Sequence, residues 1–500
     1  MNKKKSILNI STDIIGKLVT LIIGIVLPKL YIDSFGSEIN GLLSSINNIL
    51  IYVNLLEAGV GGASIQALYK AIGKNSQRDI NGILAATDKF YKKTGCYFFA
   101  IVCILAFLYP VCIKSDISFF TVSALILLSA IPAAIKYFFQ GKYTILLNAD
   151  NRAYILNTTT MVGNILINII KIILILLGYS VIVVQISFAF VSIFQMIIIV
   201  LYVKRRYPLL NFSVTPNVLA IDKKKYVMVH SISSTIFANI DILVLTLFTD
   251  LKVVSIYTIY NMVFSQINQI AKSVSNGMNA SFGQLYYRNR EEFIKQYQIF
   301  AVIYRYFALT LITITGVLIL PFMKIYASSF HDANYIDQYL PILFLSSNIL
   351  DAIRWPEVLA TNTTGHFKDT ALAAGIETVI NLICSVVFVW VFGIYGVLIG
   401  TIIALLYRTI DMIRFVSVHI IEKNYKKEVL YVILSWIVSI CFTLLSYKIE
   451  LKANDYIELI CVAVKVGVII GIVHFVFSLL FYFNTYINLI RRKGKGENEI

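Results

Sequence analysis

The sequence predicts an all-α integral membrane protein with about fourteen transmembrane helices, and three observations carry that expectation. The first is composition. Of 500 residues, 58% are hydrophobic and only 14% are charged, and the mean hydropathy is +0.79. A soluble chain is roughly 45–50% apolar and about 25% charged. No protein core hides this much apolar surface from water, so lipid is the solvent. The second observation is the length of the apolar runs. Only helices and closed barrels satisfy their backbone polar groups in hydrocarbon, and a barrel shows short alternating segments. Here runs such as Met161–Leu177 stay apolar over much of the length a helix needs to cross. The third is the alternating charge of the connections, taken up below.

In chain order the expected spans are Ile10–Ile32, Gly41–Leu68, Gly95–Ile113, Phe119–Leu147, Ile155–Leu177, Val181–Val203 and Tyr226–Phe248, then Val254–Val274, Ile299–Met323, Leu340–Ala360, Thr370–Phe392, Gly396–Val418, Leu430–Tyr447 and Leu459–Tyr482. Several carry a polar residue in mid-span. They are accepted because the connections then alternate in charge. With the N-terminus inside, the inner segments hold most of the 43 Lys and Arg residues: Lys3–Lys5, Leu68–Lys93, Asp150–Arg152, Val203–Lys225, Leu285–Arg305, Asn362–Asp369, Ile420–Glu428 and Ile487–Gly496. Outer segments such as Asp33–Glu38, Gly178–Ser180 and Lys448–Asp455 hold few. Cytoplasmic excess of Lys and Arg sets orientation, so both termini are expected inside. The net charge of +16 is then a membrane-surface signature and not a nucleic-acid patch. No small-x-small cleavage site follows the first apolar run, which reads as a retained helix. The six cysteines, Cys96, Cys103, Cys112, Cys384, Cys441 and Cys461, lack CxxC spacing and imply neither disulfide nor metal.

Internal repeats suggest two six-helix lobes. The second span ends Ala63-Ser64-x-x-x-Leu68-Tyr69 and the eighth ends Ala280-Ser281-x-x-x-Leu285-Tyr286. Each half opens on a lysine cluster, Lys3–Lys5 and Lys223–Lys225. The fourth span ends at Leu147-Asn148-Ala149-Asp150 and the tenth at Ala360-Thr361-Asn362-Thr363, each a tight polar turn. The expected organisation is an N-terminal lobe over 1–206, a cytoplasmic linker over 207–225, a second lobe over 226–425, a terminal helix pair over 426–486 and a basic tail over 487–500. Two related halves are a common transporter architecture.

Certain stretches add a resemblance. They are Lys3-Lys4-Lys5-Ser6-x-Leu8-Asn9, Pro28-Lys29-x-Tyr31, Phe35-Gly36-Ser37-Glu38-x-Asn40-Gly41-Leu42, Leu55-x-Glu57-Ala58-Gly59-x-Gly61, and the Leu147-Asn148-Ala149 and Thr361-Asn362 turns. Together with the span count they resemble the polysaccharide transport branch of the multidrug/oligosaccharidyl-lipid/polysaccharide exporter superfamily. The resemblance covers essentially the whole chain, and it implies a fold like that of the multidrug and toxin extrusion (MATE) transporters. It further implies a flippase for undecaprenyl-pyrophosphate-linked repeat units of O-antigen, capsule or exopolysaccharide. Its place would be the bacterial cytoplasmic membrane, beside polysaccharide polymerase and assembly proteins, with no cofactor.

Such a substrate has an apolar tail, polar sugars and a pyrophosphate that must cross a low-dielectric region. Charge-assisted hydrogen bonds from buried Lys or Arg would neutralise that pyrophosphate. Ionisable residues at membrane depth each cost roughly 2.5–3.5 kcal/mol, so they are functional candidates by default. Lys17, Lys171, Lys272, Arg354 and Arg408 are the candidate substrate cations. Glu57, Asn239, Asp241, Asn268, Asp351 and Asp411 are the candidate polar or ion-coupling groups. Asp13 and Lys17 stand four apart on one face, so they either pair with each other or leave Lys17 to the cavity. Glu57 is either the polar tie of a Gly-rich packing seam or a cavity group, and Asp241 either couples an ion or ties two helices. Asp351, Arg354 and Glu357 share a face, as do Arg408, Asp411 and Arg414; each set is a self-satisfied network or a substrate site. Lys171 and Lys272 have no acid within four residues on their own helices, so each takes a carboxylate from elsewhere or the substrate phosphate. Lys29, Lys142 and Arg414, near span ends, are expected to snorkel. In the eighth span Asn261, Ser265, Asn268, Lys272, Ser275 and Asn279 recur at helical spacing, either a wet face or a helix–helix seam. By analogy alone, the terminal pair with Lys465 and His474 would form a groove for the polyprenyl tail.

An enzyme is disfavoured because no outer loop is long enough for a catalytic domain. Gly73-Lys74 and Gly141-Lys142 lack the upstream glycine of a phosphate-binding loop. The rival readings are a drug or cation antiporter of the same superfamily, a lipid-linked peptidoglycan precursor flippase, and a non-transporting scaffold.

Overall fold

A computed structural model describes the backbone of residues 3–57, 60–73, 76–113, 115–150, 152–218, 224–449, 451 and 453–496. Side chains are described from 24 onward within these ranges, except 62, 66, 70, 73, 224–234, 276, 277, 279, 280, 284, 287, 367, 368 and 484–496. All regular structure in these residues is helical. Among the described residues ten helices are long and apolar enough to cross a membrane. The expected spans that fall short of that measure are the first, whose side chains mostly lie outside the described residues, and the seventh, eighth and tenth. The last three are the spans that carry Asn239 and Asp241, the polar stripe, and the Asp351–Glu357 set. Each has its own reason: of the seventh only Thr235–Phe248 falls within the fully described residues, the eighth carries the polar stripe, and the tenth is divided into two shorter helices at Arg354.

The chain divides into two compact units, residues 1–255 and 256–500.

In the first unit, α1 (Lys3–Val53) runs through what the sequence places as two spans and an outer loop. No loop intervenes. Gly36 alone interrupts the helix, at φ 85, a conformation that glycine adopts without steric cost. Then follow a 3-10 turn (Asn54–Glu57), α2 (Val60–Gly73), α3 (Gln77–Cys112), α4 (Phe119–Ile135) and a π-helical segment (Lys136–Gln140). After these come α5 (Gly141–Ala149), α6 (Ala153–Leu176), α7 (Val181–Arg206) and α8 (Lys224–Phe248). Lipid gives helices no hydrophobic reason to associate, so packing and polar ties must hold them. A polar ladder does so along α1: Ser45 bonds Thr246 at 2.8 Å and Asn48 bonds Asn239 at 3.4 Å. Tyr109 of α3 donates to Ser45 at 2.6 Å. Such bonds average about 0.6 kcal/mol in a membrane protein. Asn40 adds one to Ser255 at 2.8 Å. At the inner end, Asp150 accepts from both Arg152 and Tyr207 at 2.6 Å, pinning the end of α7 to the α5–α6 turn. Burial, then the Asp150 carboxylate, pushes the Tyr207 hydroxyl above its ordinary pKa.

The second unit holds most of α9 (Leu251–Arg288), then α10 (Arg290–Tyr326), α11 (Leu340–Ile353), α12 (Trp355–Thr364), α13 (Phe367–Phe392) and α14 (Ile394–Phe415). A π-helical turn (Val416–Ile421), α15 (Lys426–Ile449) and α16 (Tyr456–Gly496) complete it. The break between α11 and α12 falls at Arg354, just before Trp355-Pro356. Proline has no N–H to give the preceding turn and fits the start of a new helix. Phe344 of α11 stacks with Tyr260 and Phe264 of α9 at ring separations of 5.8 and 5.7 Å. Arg305, counted in an inner loop by the sequence, instead sits in α10 with its side chain 3% exposed. The neighbouring carboxylates that the sequence also left apart explain how it is accommodated.

Candidate functional site

The second unit concentrates ionisable residues where α9, α11, α13 and α14 meet the Arg354 break. Asp351 and Arg354 are one helical turn apart, so both point the same way, and the guanidinium bonds Asp351 Oδ1 at 2.8 Å. Lys272 reaches Asp351 Oδ2 from α9 at 2.7 Å, with its ammonium 5.3 Å from the Trp355 ring. Arg354 also bonds Glu377 of α13 at 2.6 Å. Glu377 faces Arg408 of α14 at 3.5 Å, and Arg408 bonds Asp411 at 2.8 Å. The result is one chain of alternating sign, Lys272–Asp351–Arg354–Glu377–Arg408–Asp411. It is neutral as a whole. Asn268 donates to Asp351 at 2.9 Å and to Asn348 at 3.1 Å.

Exposure is graded along this chain. The Glu377 and Arg408 side chains are 8% and 7% exposed, whereas Lys272 and Asp411, at the ends, are 30% and 32% exposed. The middle is locked and the ends are reachable. An anion approaching Lys272 would therefore compete with Asp351 for the ammonium.

The structure thus unites Lys272, Arg354, Arg408, Asn268, Asp351 and Asp411. The partner that Lys272 lacks on its own helix is a carboxylate, Asp351. The polar stripe of α9 packs against α11 and α12 at Asn268, Lys272 and Ser275, whose hydroxyl donates to Trp355 O at 3.2 Å. The side chain of Asn279 lies outside the described residues. Glu357 faces away from this chain, onto Arg305. Sequence reasoning left Glu377 out of the site although it is the hub. The signal was present: Glu377 has no cation within four residues of itself, the test applied to Lys272.

The first unit holds the other candidates singly. Glu57, in the 3-10 turn, bonds Lys136 of the π-helical segment at 2.8 Å and accepts from Tyr91 at 2.8 Å. Lys142 does not snorkel freely; Asp88 holds it at 2.9 Å. The Lys171 ammonium lies 4.8 Å from the Phe188 ring and 5.9 Å from the Tyr31 ring. Among the described residues no carboxylate reaches it. Asn239 takes the bond from Asn48, and Asp241 is buried in α8. The side chains of Asp13 and Lys17 lie outside the described residues. The Glu57–Lys136 and Lys272–Asp351 pairs each lie close to an interruption, the first at the Lys136–Gln140 π-helical segment and the second at the Arg354 break.

Between α10 and α16 runs an open apolar groove of about 460 Å³ lined by Tyr306, Thr310, Gly467, Gly471 and Phe475 among others. Lys465 and His474 are not among its lining; His474 is buried, with Nδ1 3.5 Å from the Thr310 hydroxyl.

No family model and no curated protein matches the chain. Solved structures do. The lipid II flippase MurJ, in an inward closed conformation, is similar with a TM-score of 0.68 and 15% identity, over 96% of this chain and 99% of that one. A multidrug resistance MATE family transporter of the MOP superfamily, inward-facing, gives 0.63 and 15% over 82% of this chain and 98% of that one. A Vibrio cholerae MATE transporter gives 0.55 and 14% over 84% and 99%. At these identities the likeness is one of fold. The chain is a multi-pass membrane protein with the fold that MurJ and the MATE transporters share.

Proposed function

We propose that the protein is a flippase that carries undecaprenyl-pyrophosphate-linked oligosaccharide units from the inner to the outer leaflet of a bacterial cytoplasmic membrane by alternating access, for surface polysaccharide. One observation carries this reading. The likeness to a lipid II flippase extends over 96% of the chain, whereas the likeness to MATE transporters covers 82–89% of it. A chain built to the full length of a lipid-linked-substrate flippase favours a lipid-linked substrate over a drug. The same comparison favours, as second reading, a peptidoglycan precursor as the cargo.

Lys272 is the residue to receive a phosphate, because it is the exposed cation at one end of the charge chain. Lys171, which has aromatic neighbours and no described acid, is the second. Arg354 and Arg408 hold Lys272's neighbours in place and reach the substrate only if the chain opens. The groove between α10 and α16 is apolar enough for an acyl or prenyl tail.

Complementation tests the reading. A flippase-deficient capsule strain expressing this chain should regain surface polysaccharide. The Lys171→Met/Lys272→Met variant, present at equal level in the membrane, should leave lipid-linked intermediates on the inner leaflet. Rescue of a strain depleted of its peptidoglycan precursor flippase, without rescue of capsule, would move the assignment to the second reading. Altered drug tolerance alone would favour the antiporter and overturn both.

A further inference from the structure

The second unit contains another buried charge cluster, which the transport reading does not use. Arg305 of α10 bonds Glu357 of α12 with one terminal nitrogen and Glu428 of α15 with the other. Tyr297 of α10 donates to Glu357 Oε1 at 3.3 Å, and Tyr482 of α16 donates to Glu428 Oε2. The Arg305 and Glu357 side chains are 3% and 2% exposed. Phe282, Phe293, Leu359 and Val416 form the apolar core beside them. Glu357 Oε2 is shut off from solvent and has no hydrogen-bond partner among the described residues.

Charge does not balance here. Two carboxylates share one guanidinium. Among the described residues the other groups facing the cluster supply no second positive charge. From α10 come Tyr297 and Tyr304, whose buried hydroxyl is without a partner. From α16 comes Tyr482, and from α15 Lys427, whose ammonium lies over the Tyr482 ring at 5.3 Å and makes no ion pair with Glu428. Arg354, three residues before Glu357, is committed to Asp351 and Glu377. His419 of the π-helical turn is exposed and turned to Phe415 O. An unpaired negative charge in an apolar setting is expensive, and two carboxylates sharing a site do not both ionise readily.

We propose that this cluster is a proton-binding site: the Glu357–Glu428 pair holds one proton, carried on Oε2 of Glu357, so that one guanidinium faces one negative charge. Lost to an alkaline medium, that proton leaves an excess negative charge where Arg305 ties α10 to α12 and α15. The site therefore makes the grip of Arg305 on these helices depend on protonation. It is separate from Lys272–Asp411 and does not depend on what the protein carries.

Infrared spectroscopy of the full-length chain in nanodiscs tests this directly. At neutral pH the wild type should show a protonated-carboxyl band that shifts in D2O, disappears on alkaline titration and is absent from Glu357→Gln. It should also be absent from Glu428→Gln, although Glu357 is still present there, because a single carboxylate balances the guanidinium and ionises. Wild-type and Glu357→Gln spectra that superimpose in this region overturn the proposal. So does a band that persists in Glu428→Gln. If Glu357→Gln fails to accumulate as a monodisperse protein, the Glu428→Gln comparison decides alone, since that carboxylate is the more exposed of the two.

Discussion

Glu377 separates two arginines that would otherwise face each other inside the second unit. Each arginine keeps its own acid one turn away, Asp351 for Arg354 and Asp411 for Arg408, and Glu377 is the carboxylate that both arginines share. Breaking a buried pair by removing one partner costs roughly 3–5 kcal/mol, because the other charge stays behind unpaired. Asp411 is 32% exposed, and its removal still leaves Arg408 facing Glu377. Glu377→Ala should therefore lower the thermal midpoint of the purified protein by far more than Asp411→Ala does. Equal losses would mean that the chain of alternating charges is not cooperative. This contrast also marks what the sequence could reveal about the site. Pairs within one helix turn were legible from spacing alone. Contacts of Glu377 with α11 and α14, or of Arg305 with α12 and α15, depend on how helices far apart in sequence meet, and no spacing rule contains that.

At the scale of elements, the interruptions matter as much as the helices. The Asn54–Glu57 turn, the π-helical segment at Lys136 and the break at Arg354 each fall beside an ion pair. In the first unit the acid, Glu57, stands in the 3-10 turn and the base, Lys136, in the π-helical segment; in the second unit the base, Lys272, is on α9 and the acid, Asp351, on α11. If the tie itself is what matters, its polarity is exchangeable. Glu57→Lys and Lys136→Glu should each destabilise, and the double variant should recover most of the loss, a coupling on the order of 0.5–3 kcal/mol in a double-mutant cycle. Tyr91 would keep the recovery incomplete, since its hydroxyl now donates to Glu57. Simple additivity of the two singles would show that Glu57 acts alone. Close approach provides a second test. A methyl group on Gly41 would stand 1.8 Å from the Leu251 carbonyl oxygen, a backbone atom that cannot move aside. On Gly163 it would meet the end of the Gln195 side chain, which can rotate away. Gly41→Ala should thus cost about 1–3 kcal/mol or more, and Gly163→Ala much less, as read from thermal midpoints.

For the molecule as a whole, composition and apolar run length were enough to establish a helical membrane protein, because lipid imposes hydropathy on every segment it touches. The same signal fades where function places polar residues. The eighth span, with its stripe of Asn and Ser residues, escapes a hydropathy measure among the described residues, and the loop alternation recovers it. The terminal pair, α15 and α16, was legible as two more spans, but not its attachment. That attachment is now specific: Arg305 to Glu428, Thr313 to Ser439 at 2.9 Å, and the glycine face of α16 along α10. Its removal separates the readings of function. A chain ending at residue 425 leaves Arg305 with Glu357 alone, a balanced pair, so the remaining helices should still accumulate in the membrane. If the cargo is lipid-linked, this truncated chain should fail to restore surface polysaccharide at a membrane level equal to that of the full chain. If it restores the polymer fully, the apolar groove and the terminal pair have no part in handling the lipid, and the length of the flippase-like match loses its force as evidence for the cargo.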